Sequence, residues 1–192
     1  MKLLFVDCCI SQRGEGSRTR RLAEAFLAHA GDADVERVDV AALGLPPYDA
    51  AALNDRDAQS RAGAFDGPHF ALARQFHDAD RIVVAAPFWD LSFPAVLRTY
   101  IEHIAVNGVN YHYDAQGPHG DCRAKQLVYL TTGGDFEREN SLGVLYWQQL
   151  CAMFGIPQFD YVFAGGLDAV PEQAETVLSQ ACDRAARLAE TF

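Results

Sequence analysis

Hydrophobic and polar positions alternate along this chain between two periods. Short apolar, often β-branched runs at residues 2–7, 35–40, 81–86, 126–131 and 158–164 predict five strands. Between them, apolar residues at helical spacing predict helices over 17–30, 65–78, 93–106, 141–154 and 172–190. The clearest passage begins at Arg81, where a run suited to a strand covered on both faces ends at Pro87. Beyond Ser92, a plausible N-cap, Phe93, Val96, Leu97, Tyr100, Ile101 and Ile104 form one helical stripe, with Pro94 tolerated in the first turn. Strand and helix signals in alternation predict an α/β fold: a parallel sheet, right-handed crossovers and helices on both faces. The stretches 43–63 and 107–122 are long and rich in Gly, Pro, Asp and His, and are expected as surface excursions near the site.

Composition narrows the class. At 192 residues and 49% hydrophobic, the chain fits one domain spanning 1–192. A net charge of −10 argues against nucleic acid and anionic membranes as partners, since both reward a basic face. The amino terminus reaches Asp7 too soon for a signal peptide, and no apolar run is long enough to span a bilayer, so a cytoplasmic location is expected. Cys8, Cys9, Cys122, Cys151 and Cys182 are odd in number and lack CxxC spacing, which points to reduced thiols. His103, His112 and His119 match no zinc signature, and no metal is expected.

Candidate chemistry sits in three loops at strand carboxyl ends. The first runs from Cys8 to Arg21 and holds four of the sixteen basic residues of an acidic chain. Cations at a helix amino terminus oppose the macrodipole unless an anion lies there. A phosphate resolves the conflict, cradled by free N–H groups and the hydroxyls of Ser17 and Thr19; the alternative is a solvated arginine face. No Walker A pattern is present, and the half fingerprint Gly14-Glu15-Gly16 has Thr19 at its third glycine position. The second loop is the turn Phe88-Trp89-Asp90-Leu91. The third is Thr131-Thr132-Gly133-Gly134, whose glycines allow backbone amides to approach a flat ring; alone it reads as a plain strand-to-helix turn. Together the loops call for a phosphate joined to a planar heterocycle at the topological switch point, as FMN binds in flavodoxin.

These residues also carry a resemblance. Pro87-Phe-Trp-Asp-Leu-Ser-Phe-Pro, then Asn107-Gly-Val-Asn-Tyr-His-Tyr with Gly117-Pro-His-Gly and Lys125, then Thr131-Thr-Gly-Gly, resemble the FMN-dependent NADH-azoreductases and NAD(P)H quinone reductases of the flavodoxin-like superfamily. The resemblance implies a three-layer sandwich with a five-stranded parallel sheet of order 2-1-3-4-5. It implies FMN held by Cys9, Ser17, Arg18 and Thr19 at the phosphate, by Phe88, Trp89, Asp90 and Leu91 beside the ring, and by Thr131, Thr132, Gly133 and Gly134 at its far edge. It implies a homodimer, NADH or NADPH as co-substrate, and ping-pong two-electron transfer to a quinone or azo acceptor, with flavin N5 carrying the hydride and no acid–base residue required. Asp90 departs from the family's usual asparagine, and Cys8-Cys9 stand where serines are usual. His112, Tyr113 and Phe136 are candidates to line the substrate opening, against a reading as ordinary loop or core side chains. Two other functions fit the same fold: a flavodoxin-like electron carrier, and an NAD-binding Rossmann dehydrogenase without flavin.

Overall fold

A computed structural model of the chain describes residues 1–10, 16–137 and 141–192. Five strands form one parallel sheet: β1 (Lys2–Asp7), β2 (Asp34–Asp39), β3 (Arg81–Ala85), β6 (Gln126–Thr132) and β7 (Gln158–Ala164), in the order β2-β1-β3-β6-β7. This is the expected 2-1-3-4-5 order, because β4 (Tyr111–Asp114) and β5 (Gly117–Gly120) pair only with each other, in a separate antiparallel hairpin. In register, Val6 lies opposite Val38 on one side and Val84 on the other, so Asp7 ends level with Ala85 at the carboxyl edge.

The period-two alternation of the buried strands builds two cores, one on each face of the sheet. Leu4, Val6, Ile82, Val84, Leu127 and Tyr129 pack with α4 (Ala95–Ile104), α5 (Leu142–Phe154) and Phe76 of α3 (Ala71–His77). Leu3, Phe5, Val83, Ala85, Val128 and Leu130 face α1 (Arg18–Leu27) and α6 (Ala174–Ala189). The stripe read from the sequence on α4 is confirmed at Leu97, Tyr100, Ile101 and Ile104, all buried. Its start differs: Pro94 occupies the cap position and Ser92 lies two residues outside, bridged to Trp89.

Both long excursions contain regular structure. Residues 43–63 include α2 (Ala50–Arg61), capped by Asp49, whose Oδ1 accepts from the Ala52 amide at 2.8 Å. The β4–β5 hairpin docks at the amino-terminal edge of the sheet, where the Cys122 and Lys125 amides donate to Phe154 and Asp80. A Cβ on Gly120 would lie 2.0 Å from the Phe154 carbonyl carbon, so the hairpin meets the end of α5 backbone to backbone. The α2 segment closes on the same end, with Tyr48 stacked on His103 and Ser60 donating to the Asn107 carbonyl. Both excursions therefore sit at the edge opposite the three chemical loops, and not beside them as their composition suggested. Among the described residues, no helix is long and apolar enough to cross a membrane.

Candidate functional site

At the carboxyl edge of the sheet, the turns after β1, β3, β6 and β7 meet around a cleft of about 220 Å³. It is lined by Cys9, Ser17, Arg18 and Thr19 from the first loop, Phe88 and Trp89 from the second, and Thr132, Gly133 and Gly134 from the third. Ile10 and Pro87, and Leu167 with Asp168 after β7, complete the wall and were not singled out from the sequence.

The first wall is the start of α1. Ser17 is its N-cap, with its Oγ accepting weakly from the Arg20 amide at 3.4 Å. The amides of Arg18 and Thr19, the first two of the helix, have no carbonyl within it to receive them, the arrangement that anions meet at helix starts. Thr19 is buried and its Oγ1 lies 2.6 Å from Oγ1 of Thr132, tying the helix start to the end of β6. The basic cluster is more differentiated than a solvated face. Arg20 approaches Asp7 at 3.9 Å, Arg21 binds both carboxylate oxygens of Glu175, and Arg18 forms an ion pair with Asp168 at 2.7 Å. Gln12, Arg13, Gly14 and Glu15, part of the expected phosphate loop, lie outside the described residues.

Beneath this wall, Asp7 is almost completely buried and pairs with Arg37. Its Oδ1 accepts the Cys9 amide at 2.8 Å, so that amide is already committed within the protein. Cys9 offers the cleft its side chain instead. Burial, reinforced by the charge of Asp7, pushes the Cys9 thiol above the usual range. Burial likewise raises Cys8 to about 12, with Asp7 and Asp39 adding to the effect. Both cysteines are free, and neither has the lowered pKa that would make it a nucleophile.

The second wall is a strained turn. Trp89 and Ser92 exchange backbone hydrogen bonds of 3.3 and 2.8 Å, closing a two-residue turn on Asp90 and Leu91. Both residues have positive φ, 49° and 67°, which is the type I′ geometry that Asn-Gly adopts without strain. The turn turns Leu91 and Trp89 outward, 55% and 47% exposed. Asp90 and Leu91 thus form the exposed tip of this loop and do not line the cleft of the single chain.

The third wall separates the adjacent threonines. Side chains alternate along a strand, so Thr132 faces α1 and the cleft while Thr131 is fully buried on the Tyr129 face. Thr131 is therefore not a cleft residue, contrary to expectation. Gly133 and Gly134 have close side-chain neighbours: a Cβ would meet Phe163 at 3.0 Å and the Asp168 carboxylate at 2.4 Å, respectively. Phe136 is 58% exposed and packs toward Gly166, outside the cleft lining. His112 and Tyr113 are on the hairpin at the opposite edge. His112 stacks with His119 across the strands and bonds Asp121, so neither approaches the cleft of its own chain.

A family model described as flavodoxin-like fold matches residues 1–189. The chain belongs to the flavodoxin-like fold family. Among similar proteins, one from Caldicellulosiruptor saccharolyticus named FMN-dependent NADH:quinone oxidoreductase is 31% identical, covering 100% of this chain and 99% of its own. A protein of the same name from Clostridium perfringens is 29% identical with the same coverage. The crystal structure of an azoreductase from Bacillus anthracis superposes with a TM-score of 0.86 at 26% identity, over 100% of both chains. In a flavodoxin-like sheet ligands bind outside the strand carboxyl ends, which is where this cleft lies.

The cleft suits a phosphorylated flavin on its own features. Arg18 and the first-turn amides of α1 mark the anion end, Gly133 and Gly134 let backbone approach a flat ring, and Phe88 and Trp89 line the cleft with aromatic side chains.

Proposed function

We propose that this protein is an FMN-dependent NAD(P)H oxidoreductase that reduces quinone or azo acceptors. The observation that carries the reading is the convergence of the loops after β1, β3 and β6 on one cleft with an anion-binding end and an aromatic end. The names of relatives that match it along nearly their whole length support the same activity.

In this reading Ser17, Thr19 and Arg18 hold the phosphate through hydroxyls, helix amides and charge. Phe88 and Trp89 bound the ring on one side, and Thr132 with the Gly133 and Gly134 backbone on the other. Asp90 and Leu91 stand at the exposed turn tip on the rim of the cleft, outside its lining in the single chain. Bound FMN supplies the redox chemistry, accepting hydride from NAD(P)H and passing two electrons to the acceptor. The chain's own contribution is position and electrostatics. Backbone amides along 132–134 stabilise negative charge at the ring edge, and aromatic side chains exclude water from one face.

We further propose that residues 1–192 act as one FMN-binding unit within a cytoplasmic homodimer. A cleft of about 220 Å³ is smaller than the roughly 300 Å³ or more that small-molecule sites provide. Exposed apolar side chains stand at the same edge: Trp89 and Leu91 on the second loop, Phe136 after the third, and Leu142 at the start of α5. A second copy covering that rim would complete each site, and it is the route by which Tyr113 of a hairpin at the far edge reaches a flavin.

The visible spectrum of the purified, FMN-reconstituted protein tests the activity. Flavin bands that bleach under anaerobic NADH and return on adding a quinone are expected; a protein that retains no flavin overturns the reading. Sedimentation at assay concentration tests the assembly, and a fully active monomer would exclude it.

A further inference from the structure

We infer that Asp168 is a built-in competitor for the phosphate-binding arginine, setting how tightly the cleft holds a phosphorylated ligand. The inference rests on the proposed FMN reading, and concerns a residue outside the motifs that suggested it.

The geometry is specific. Arg18 Nη1 lies 2.7 Å from Asp168 Oδ1, joining the start of α1 to the loop after β7 across the cleft wall. Asp168 is held in place by its backbone: its amide and that of Ala169 both donate to the Gly134 carbonyl at 3.0 Å. Its carboxylate lies directly over Gly134, where a Cβ would come within 2.4 Å of Oδ2. The backbone of the acid is therefore held at the cleft by the same glycine expected to meet the ligand, which keeps its carboxylate within reach of Arg18.

An anionic side chain lining an anion site is unfavourable for the anion in two ways. It occupies the cation the phosphate needs, and it repels the phosphate when that cation swings away. Among the described residues, the other cations of this helix start do not relieve this, since Arg20 lies near the Asp7 carboxylate and Arg21 is paired with Glu175. The Arg18–Asp168 pair is half-exposed, 38% and 71%, so it is weak enough for a phosphate dianion to displace. Displacement makes affinity a difference between two ion pairs. Ligands without a phosphate leave the Arg18–Asp168 pair intact and do not feel that difference.

The test is a fluorescence titration of apoprotein with FMN and, separately, with riboflavin, for wild type, Asp168→Asn, Arg18→Gln and the double variant. Asp168→Asn keeps the shape over Gly134 and removes the charge. FMN is expected to bind this variant roughly two- to tenfold more tightly, with the gain shrinking as salt is raised. Riboflavin affinity is expected to stay unchanged, and adding Asp168→Asn to Arg18→Gln is expected to give a smaller gain than in wild type. Weaker or unchanged FMN binding by Asp168→Asn would overturn the inference, the former by showing that Asp168 positions Arg18. An equal gain for riboflavin would overturn it too, by placing the effect on the ring. Wild-type protein that binds neither ligand would instead overturn the FMN reading, and the inference with it.

Discussion

The hydroxyls of Thr19 and Thr132 lie 2.6 Å apart, buried, joining helix α1 to the end of strand β6. One must donate and the other accept, so the pair fixes the distance between the anion end of the cleft and the Gly133-Gly134 turn. Replacing one partner by valine leaves the other, largely buried hydroxyl without its bond, which costs about 1–3 kcal/mol. Replacing both removes the unsatisfied group along with the bond. The expected outcome in urea unfolding is that Thr19→Val and Thr132→Val each destabilise, while the double variant is more stable than the two losses added together. Simple additivity would show that the two hydroxyls do not interact.

Leu91 is a leucine in a glycine's conformation. Its φ of 67° follows Asp90 at 49° in a turn whose second central position suits glycine. A left-handed L-residue costs roughly 1–2 kcal/mol, and the 55% exposure of Leu91 in one chain returns little of that through burial. Leu91→Gly is therefore expected to raise the unfolding midpoint of the apoprotein by relieving strain, even though glycine gives part of the gain back through the unfolded state. Catalytic efficiency is expected to fall, since strain retained at an exposed tip beside a ligand site marks a side chain kept for function. Stability lowered by Leu91→Gly, measured with dilute monomer, would show that the side chain packs within its own chain.

The loops at the carboxyl edge were legible because their chemistry is local, and the rest of the site was not. Strands β1 and β7 begin and end where the apolar runs do; β1, inside the sheet, is buried from Leu3 to Asp7, whereas β7, at the sheet edge, is buried only from Val162 to Ala164 and admits Gln158 and Asp160. Helix α2 has no signature in the apolar pattern, because it buries none of its residues and has no apolar stripe. The hairpin strands are four residues each and carry histidine, aspartate and glycine, so they read as loop. Thr131 was grouped with Thr132 as a motif, although strand periodicity already requires adjacent residues to face opposite ways. Asp168 had one usable signal: Gly165-Gly166 after β7 repeats the Gly133-Gly134 pattern after β6, marking a fourth loop at the same edge. Its ion pair with Arg18 spans 150 positions and has no local signature.

Two facing glycines seat the hairpin that carries Tyr113. Gly155 ends α5 with φ 74°, and a Cβ there would lie 2.7 Å from the Gly120 carbonyl oxygen; a Cβ on Gly120 would lie 1.9 Å from the Gly155 nitrogen. Neither neighbour is a flexible side-chain end that could move aside. Gly120→Ala must push the hairpin off α5, breaking the Cys122-to-Phe154 hydrogen bond behind it. A loss of about 3 kcal/mol is expected, the size of other severe overpacking changes. Hydrogen exchange should show early loss of protection at the Cys122 amide, with β1 and β3 unaffected. Uniform loss across the sheet would place the hairpin inside the main cooperative unit.

Stability should decline on the alkaline side because of buried thiols. Burial raises Cys8, Cys122 and Cys151 each to about 12, from an ordinary value of 9.0. The shift is upward and the neutral form is the folded one, so the stabilisation is complete below pH 9 and is lost as pH rises towards 12, where the unfolded chain ionises first. The expected outcome is an unfolding midpoint that falls between pH 9 and 11, with part of the slope removed by Cys151→Ala. Native cysteines should also resist alkylation at pH 8 until denaturant is added, since a protonated buried thiol is a poor nucleophile. Rapid modification of Cys8 or Cys151 in the native protein would mean that these thiols are open to solvent and ionise freely, and the alkaline decline would then need another origin.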